Sequence, residues 1–319
     1  MKLKLLRKNY FNIPALVFRR QSWILDHVLD DRLSGRVIFM WIMIVVSGSS
    51  FALRNYAVVV ESGTSVAINN LNLQAKKDEI ADKPVGKVVE WTALQLLNQP
   101  YELAPLDRKT PEYLYISLTN TDCMLFIEEV LATSKLIKQH DLNLPSLTNE
   151  IVKLRYHGAI SYCDRNHYFK DWAFVNIKNG FITDEGLNLT GINSAYNVSS
   201  MSTYLSHHND LHSSDLKCIL SREAFINQNE KIGFIPLKDL DKSLRKIKSG
   251  DIIGIIRTPK GRADSIHHLG IAYVHDGVIS MIHASSEYHK VIISPTLKGY
   301  LERFKDSQGI VLFRPQEYN

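Results

Sequence analysis

The amino-acid sequence predicts an α+β fold, in which helices of the middle third of the chain pack on an antiparallel sheet formed by the last third. Between residues 82 and 155, apolar residues recur every three or four positions, the spacing of amphipathic helices. From residue 252 onward the chain changes to short β-branched runs separated by turn signals, which is typical of antiparallel strands. Asp276-Gly277, the strongest short hairpin signal, separates two of these runs.

The composition is that of an ordinary globular protein. Of 319 residues, 45% are hydrophobic and 22% are charged, which excludes wholesale disorder, a collagen-like repeat and a polytopic membrane protein. The 38 basic and 33 acidic side chains give a net charge of +5, too small an excess to predict nucleic-acid binding. Three cysteines leave at least one thiol free unless it pairs between chains.

Residues 1–52 are predicted to form an N-terminal leader. Eight basic residues precede an uncharged run from Val37 to Leu53, whose most apolar part, Val37 to Val46, has the length of a signal-peptide core. The small-x-small sequence at 50–52 resembles a cleavage site, whereas the long basic region before the run also suits a retained anchor with its positive side in the cytoplasm. Both interpretations predict that the chain after Leu53 lies across the membrane, either released or held by a single N-terminal membrane anchor.

The elements after the leader follow in chain order. Residues 53–82 are polar and rich in asparagine, which predicts a connector, and residues 83–319 are predicted to form one domain. Caps, prolines and apolar spacing set the element limits. Helices are expected from Asp82 to Asn98, from Asp122 onward (capped by Asn120 and Thr121), from Pro145 to Arg155 and from Thr296 to Phe304. A polar insertion near 184–217 is expected to form a long loop or lid. Strands are expected from Ile252 to Arg257, His268 to Val274, Val278 to His283, Val291 to Ser294 and Ile310 to Arg314.

Cys123 falls in the first turn of the helix that Asp122 opens. The positive end of the helix dipole and unpaired backbone N–H groups lie there, and both favour a thiolate and an oxyanion hole. Taken alone, a cysteine in such a place is more often a small buried apolar residue. Cys163 and Cys218 are predicted to be structural or incidental.

The hairpin brings two histidines together. With a two-residue loop at the Asp-Gly turn, the cross-strand register sets His283 opposite Gly270. His268 shares the face of Gly270, so the two imidazoles become diagonal neighbours. The same face is lined by small residues, on which the helix bearing Cys123 is expected to dock. A thiol, a histidine base and a second polar group that orients this base are what thiol acyl transfer requires.

A second cluster mixes cationic, aromatic and acidic side chains between residues 155 and 172. Such a mixture suits a saccharide or peptide ligand, and it equally suits a salt-bridged, aromatic-packed loop. The histidines of the insertion, His207, His208 and His212, lack a carboxylate or cysteine partner at metal-site spacing, so no metal is predicted. No phosphate-binding glycine loop or dinucleotide fingerprint is present in the sequence.

In order and spacing, a set of segments over roughly residues 84–314 resembles the N-acetylmuramoyl-L-alanine amidase-like family of the NlpC-type, papain-like cysteine peptidases. The motifs that carry the resemblance are Asn98-Gln-Pro100-Tyr101, Thr121-Asp122-Cys123-Met-Leu-Phe126-Ile-Glu128, Arg155-Tyr156-His157-Gly158, Arg165-Asn-His167-Tyr168-Phe-Lys-Asp171-Trp172, Gly250-Asp251-Ile252-Ile253, His268-Leu-Gly270-Ile-Ala and His283-Ala-Ser285-Ser286.

The resemblance implies a papain-like NlpC-type fold with the nucleophile at the N-terminus of a helix packed on an antiparallel sheet. It implies hydrolysis of the amide between the lactyl group of N-acetylmuramic acid and the first L-alanine of the peptidoglycan stem, without a metal or organic cofactor. Cys123 would be the nucleophile, His268 the base and later the acid, and His283 the residue that orients it. The substrate site implied by the resemblance comprises Tyr101, Asp122, Arg165, His167, Tyr168 and Trp172.

Three points stay open at the level of sequence. The segment before His268 carries one residue more than the compact family pattern, which leaves His267 as an alternative base. An endopeptidase that cuts the stem peptide after D-glutamate would use the same catalytic residues. A non-catalytic wall-binding protein could keep the fold without the chemistry.

Overall fold

An antiparallel sheet organises the computed structural model, which describes residues 38–40, 57–106, 112–193, 213–258 and 265–318. Short 3₁₀ turns at 237–239 and 244–246 flank one of the helices. The elements are β1 (Ile38–Met40), β2 (Val58–Val60), α1 (Thr64–Lys77), α2 (Val85–Gln95), β3 (Leu114–Ile116), α3 (Cys123–Lys138), α4 (Leu144–Arg155), α5 (Phe169–Lys178), β4 (Ile182–Asp184), α6 (Glu185–Thr190), α7 (Ser213–Asn229), β5 (Ile235–Pro236), α8 (Leu240–Ser243), β6 (Ile252–Arg257), β7 (Ser265–His275), β8 (Val278–Ser285), β9 (Lys290–Ile293), α9 (Leu297–Glu302) and β10 (Ser307–Pro315).

The strand order of the main sheet is β4-β10-β6-β7-β8-β9, with β5 also paired to β10, and the neighbouring strands are antiparallel. Buried apolar side chains cover both faces of this sheet in two clusters. The mixed α+β class with an antiparallel sheet, predicted from the change of pattern along the chain, is therefore confirmed.

The register of the β7–β8 hairpin is the one predicted from its turn. His275 pairs with Val278, and the pairing continues to Ile271 opposite Ile282. Asp276 and Gly277 form the two-residue loop, and both have positive φ angles, 50° and 76°, as a type I′ turn requires. The hairpin thus fixes which residues of β7 and β8 share a face.

A β-bulge accommodates the additional residue that precedes His268. Ile255 of β6 pairs with His268, but the next residue, Ile256, pairs with Ile266. His267 is therefore the residue that the strand register skips, and it is exposed. The bulge keeps His268 in register with the hairpin although the chain is one residue longer at this point.

Helix α3 packs on the opposite face of the sheet from the one expected. Its apolar residues share the larger cluster with Leu269 and Ile271, whereas Ala272 and Met281 belong to the smaller cluster beside α9. The expectation relied on the small size of Gly270. The structure corrects it, because a Cβ at Gly270 would collide with the Met281 side chain, so this space is already filled from within the sheet.

Part of the segment expected as a connector is folded. Strand β2 pairs antiparallel with β1 and parallel with β3. In α1, Ile68, Leu71 and Ala75 are buried in the larger cluster. Their spacing of three and four residues is helical, but the polar asparagines between them obscure it in the sequence.

The predicted leader lies almost wholly outside the described residues, and strand β1 is the part of it that the structure describes. Across the ranges that the structure describes, every helix is too short or too polar to cross a bilayer. Of the predicted insertion near 184–217, the described parts are α6 with its flanking residues and the beginning of α7.

Candidate active site

The start of α3 is organised by the side chain of Asp122. Its Oδ1 accepts hydrogen bonds from the backbone N–H groups of Met124, at 2.9 Å, and Leu125, at 2.8 Å. Asp122 is therefore the N-cap, one residue after the expected cap. Asp122 accepts from the N–H groups of Met124 and Leu125 but not from that of Cys123, so the Cys123 N–H is the donor of the first turn that Asp122 does not bind.

Cys123 is a free cysteine and is partly exposed as a residue, although its sulfur is buried. Burial of the sulfur and the negative charge of Asp122 raise the pKa of Cys123 to about 12, against the N–H groups of Cys123, Leu269 and Met124, which lower it. The helix start was expected to favour the thiolate. Here burial and the neighbouring carboxylate outweigh the helix dipole, so the thiol is protonated at neutral pH.

The two predicted histidines are in direct contact. Nε2 of His268 lies 2.7 Å from Nδ1 of His283, and the two rings are perpendicular with centroids 4.7 Å apart. His283 is buried, and its Nε2 makes no hydrogen bond to the residues that the structure describes. His268 directly precedes Leu269, whose N–H faces the Cys123 thiol. The backbone of β7 next to His268 thus lies beside the Cys123 thiol at the start of α3.

Both imidazoles are neutral at physiological pH. Burial lowers the pKa of His268 to about 3, and the neighbouring His283 and His267 contribute in the same direction. Burial also lowers the pKa of His283 to about 4, with Arg303 adding to the shift and Glu287 opposing it. A neutral imidazole can accept a proton, so His268 has the protonation state of a general base.

Tyr101 lies beside the candidate nucleophile. Its backbone pairs with Thr121, immediately before the cap of α3, and its N–H donates to the carbonyl of His289 at 3.0 Å. Burial raises the pKa of the Tyr101 phenol to about 12, and the charges of Cys123 and Asp122 act in the same direction. Of the predicted substrate-site residues, Tyr101 and Asp122 are the two that the structure brings to Cys123.

A buried ion pair holds α3 to α4 below this site. Nε of Arg155 lies 2.7 Å from Oε2 of Glu128, and both side chains are almost fully buried. The Arg155 Nη1 also donates to the carbonyl of Tyr115 in β3 at 2.7 Å. One guanidinium therefore connects α4 with both α3 and β3.

The remaining predicted substrate-site residues are Arg165, His167, Tyr168 and Trp172, and the first and last of these are buried. Arg165 is 5% exposed and donates to the Leu106 carbonyl at 2.7 Å, and Trp172 is fully buried with its ring stacked on Phe169. His167 contacts the Tyr162 carbonyl at 2.6 Å. For Arg165 and Trp172 these contacts correspond to the structural interpretation left open by the sequence, because neither side chain faces solvent.

Helix α7 is linked to residues 163–171 by a disulfide, a hydrogen bond and an ion pair. Cys218 of α7 forms a disulfide with Cys163, with the two Cα atoms 5.8 Å apart. The Tyr168 hydroxyl hydrogen bonds to Glu223, and Arg222 pairs with Asp171. This pairing could not be predicted from the sequence, because α7 follows a polar insertion and its partners lie about fifty residues earlier in the chain.

Sequence reasoning also missed Tyr300 in α9, whose ring contacts both His268 and His283. A signal was present in the sequence, since the helix predicted from Thr296 to Phe304 lies between two predicted strands of the sheet and carries a tyrosine at its centre. Among the described residues, no three His, Cys, Asp or Glu side chains form a group able to hold a metal ion.

Residues 92–310 match the model of a family described as N-acetylmuramoyl-L-alanine amidase-like. No curated protein matches the chain.

Solved structures with the same fold include an N-acetylmuramoyl-L-alanine amidase from Bacteroides uniformis, at 28% identity and a TM-score of 0.66, over 73% of this chain and 99% of that one. A Bacteroides fragilis protein described as a putative xylanase is 26% identical, with a TM-score of 0.64, over 70% of this chain and 99% of that one. A Legionella pneumophila protein, at 18% identity and a TM-score of 0.61, shares the fold over 79% of this chain and 94% of its own. Because the family model spans more than half of the sequence, the chain belongs to the N-acetylmuramoyl-L-alanine amidase-like family.

Proposed function

We propose that this protein is a thiol-dependent peptidoglycan amidase, which hydrolyses the amide between the lactyl group of N-acetylmuramic acid and L-alanine. The observation that carries the proposal is the imidazole pair of His268 and His283, with the neighbouring Leu269 N–H directed at the Cys123 thiol, in a chain of the amidase-like family. Cys123 is the nucleophile, His268 the general base and acid, and His283 the residue that orients His268.

The first half of the reaction follows from the protonation states. His268 Nε2 faces His283 Nδ1, which leaves Nδ1 of His268 to take the thiol proton. Sulfur then attacks the lactyl carbonyl carbon, and the N–H of Cys123 stabilises the oxyanion that forms. The imidazolium returns its proton to the alanine nitrogen as the C–N bond breaks. The products are a thioester on Cys123 and a stem peptide with a free N-terminus.

The second half regenerates the enzyme. His268 takes a proton from water, whose oxygen attacks the thioester carbonyl. The C–S bond then breaks, and the proton returns to sulfur. The lactyl carboxylic acid leaves and gives its own proton to solvent, and the thiol and the neutral imidazole are restored. His283 accepts the Nε2–H of His268 in both halves and therefore keeps Nδ1 directed at the reacting atoms.

We further propose that the domain acts outside the cytoplasm, in the periplasm or cell envelope. The Cys163–Cys218 pair supports this location, because structural disulfides persist in oxidising compartments. The apolar run after Arg36 supports it independently as an export signal or a single N-terminal membrane anchor.

Mass spectrometry of defined muropeptides and intact peptidoglycan, incubated with the wild-type protein or with Cys123→Ala, tests the proposal. The expected result is free stem peptide with N-terminal L-alanine, formed by the wild type alone. Cleavage within the stem would replace the amidase by an endopeptidase. No cleavage of any wall substrate would contradict both and favour a wall-binding role.

A further inference from the structure

Tyr300 is an aromatic side chain that touches both histidines of the candidate active site. Its ring is nearly parallel to that of His268, with centroids 6.1 Å apart, and edge-on to that of His283, with centroids 5.2 Å apart. The two imidazoles are themselves perpendicular. Tyr300 therefore contacts both rings of the pair at once, and rotation of either ring would break its contact with Tyr300.

The backbone holds Tyr300 firmly in this place. Helix α9 is capped by Thr296, whose Oγ1 accepts from the Gly299 N–H at 3.0 Å. Leu297 and Leu301, one on each side of Tyr300, are fully buried in the smaller core cluster. The position of the Tyr300 ring is thus set by core packing and does not depend on the histidines.

The Tyr300 ring also contacts two residues that follow α9. Phe304 packs edge-on against Tyr300 at 5.6 Å, and the Arg303 guanidinium lies 5.7 Å from the Tyr300 centroid. Arg303 is held in turn by two hydrogen bonds to Glu287, at 2.9 and 3.1 Å. In contrast, the Tyr300 hydroxyl makes no hydrogen bond to the residues that the structure describes. The ring, and not the hydroxyl, is therefore the part of Tyr300 that neighbouring side chains hold in place.

We propose that Tyr300 is a positioning residue, whose ring fixes the mutual orientation of His268 and His283 and excludes water from the pair. Aromatic contacts are orientation-dependent, and two such contacts from a fixed ring restrict both imidazoles. This role rests on the proposed amidase function for its effect on the rate, but its effect on the imidazoles themselves is independent of that function.

Exclusion of water by Tyr300 also fits the acid–base properties of the pair. Burial is the largest cause of the lowered pKa of both His268 and His283. The charged and titratable groups that act on the three rings are His267 on β7, Glu287 after β8, Arg303 and Cys123, with Arg257 of β6 acting on Tyr300. Removal of the Tyr300 ring leaves all of these groups in place and changes the hydration of the pair.

The test compares Tyr300→Phe, which keeps the ring, with Tyr300→Leu, which removes it. Glu302→Ala, an exposed change on the same helix, is the control. We expect Tyr300→Phe and Glu302→Ala to retain kcat and KM within about twofold. We expect Tyr300→Leu to lower kcat about tenfold, the loss of up to two aromatic contacts, with KM changed less than twofold.

An NMR titration of the two imidazoles in the same variants provides the readout that does not need turnover. In the wild type and Tyr300→Phe, the pair should titrate well below pH 6.5, and in Tyr300→Leu its midpoint should move toward 6.5 by at least one unit. An equal loss of kcat in Tyr300→Phe and Tyr300→Leu would assign the role to the hydroxyl and overturn the proposal. An unchanged midpoint in Tyr300→Leu would overturn it too.

If Tyr300→Leu does not fold, Tyr300→Met fills a similar volume without an aromatic ring and takes its place in both measurements. If the wild type cleaves no wall substrate, the proposed function fails, yet the titration still decides the role of Tyr300.

Discussion

The Nε2 atom of His268 lies 2.7 Å from Nδ1 of His283, and the neighbouring His267 is the exposed extra residue of a β-bulge. Two adjacent histidines of the same strand thus have opposite surroundings. His268 lies in the candidate site, whereas His267 lies outside it. The sequence leaves open which of the two histidines is the base, and substitution of each in turn tests this.

We expect His268→Ala to lower kcat/KM for muropeptide hydrolysis by about 10²- to 10⁴-fold, because a general base contributes that factor. His267→Ala should stay within about threefold of the wild type, since its side chain is exposed and lies in the bulge. Initial rates of stem-peptide release measure both. A larger loss in His267→Ala than in His268→Ala would assign the base to the other histidine.

Asp122 has two separable effects on α3, one through its cap hydrogen bonds and one through its charge. Asp122→Asn keeps an oxygen that accepts from Met124 and Leu125 but removes the negative charge that raises the pKa of Cys123. The thiolate fraction at pH 8 should therefore rise, and iodoacetamide should alkylate Cys123 faster than in the wild type. Asp122→Ala loses the cap as well, so its free energy of unfolding should fall by about 1 kcal/mol. Equal or slower alkylation of Asp122→Asn would contradict the electrostatic assignment.

The pH dependence of the activity follows from the pKa of the imidazole pair. His268 must be neutral to take the thiol proton, and burial lowers its pKa to about 3, below the ordinary value of 6.5. Activity should therefore be retained as the pH falls through 6.5 and be lost only well below it. The acid limb of kcat/KM, which reports the free enzyme, measures this. An acid limb at pH 6.5 or above would contradict a buried, neutral base.

The disulfide joins Cys163 to Cys218, which are 55 positions apart in the sequence, and it therefore closes a long loop. Restriction of the unfolded chain by a loop of that size is worth up to about 4 kcal/mol. The Cys163→Ala/Cys218→Ala protein should accordingly unfold at lower urea concentration than the wild type. Cys123→Ala, which removes the free thiol and leaves the disulfide intact, should unfold with a midpoint close to the wild type. Equal urea midpoints for the double variant and the wild type would show that the link adds no stability.

The hairpin register could be predicted from the sequence because an Asp-Gly turn leaves a single short loop geometry open. That turn alone placed His268 and His283 on one face, and the first-turn position of Cys123 followed from the polar residues before an apolar helical stripe. The sheet face on which α3 docks could not be predicted in this way. It depends on Met281 filling the space beside Gly270, a contact that no local pattern contains.

Contacts between segments that are far apart in the chain could not be predicted from the sequence for the same reason. The polar surface of α1 hides the buried stripe of Ile68, Leu71 and Ala75, and α7 reaches Cys163 and Asp171 across a long separation. The sign of the Cys123 pKa shift was also missed. A helix N-terminus favours the thiolate, but the degree of burial and the distance to Asp122 decide the balance, and both belong to the folded structure.

The buried pair of Arg155 and Glu128 joins α4 to α3 beneath the site, with a further bond from Arg155 to the Tyr115 carbonyl. Arg155→Met should lower the free energy of unfolding by about 3 to 5 kcal/mol, because it leaves a buried carboxyl group without its partner. Lys87→Ala, which breaks an exposed pair with Glu90, should cost less than about 1 kcal/mol. Urea unfolding of both variants gives the comparison. Adding Glu128→Leu to Arg155→Met removes the orphaned carboxyl group and should recover part of the loss, since an apolar pair avoids the desolvation of two charges. No recovery in the double variant would mean that the bond to Tyr115, and not the ion pair, is what holds α4 in place.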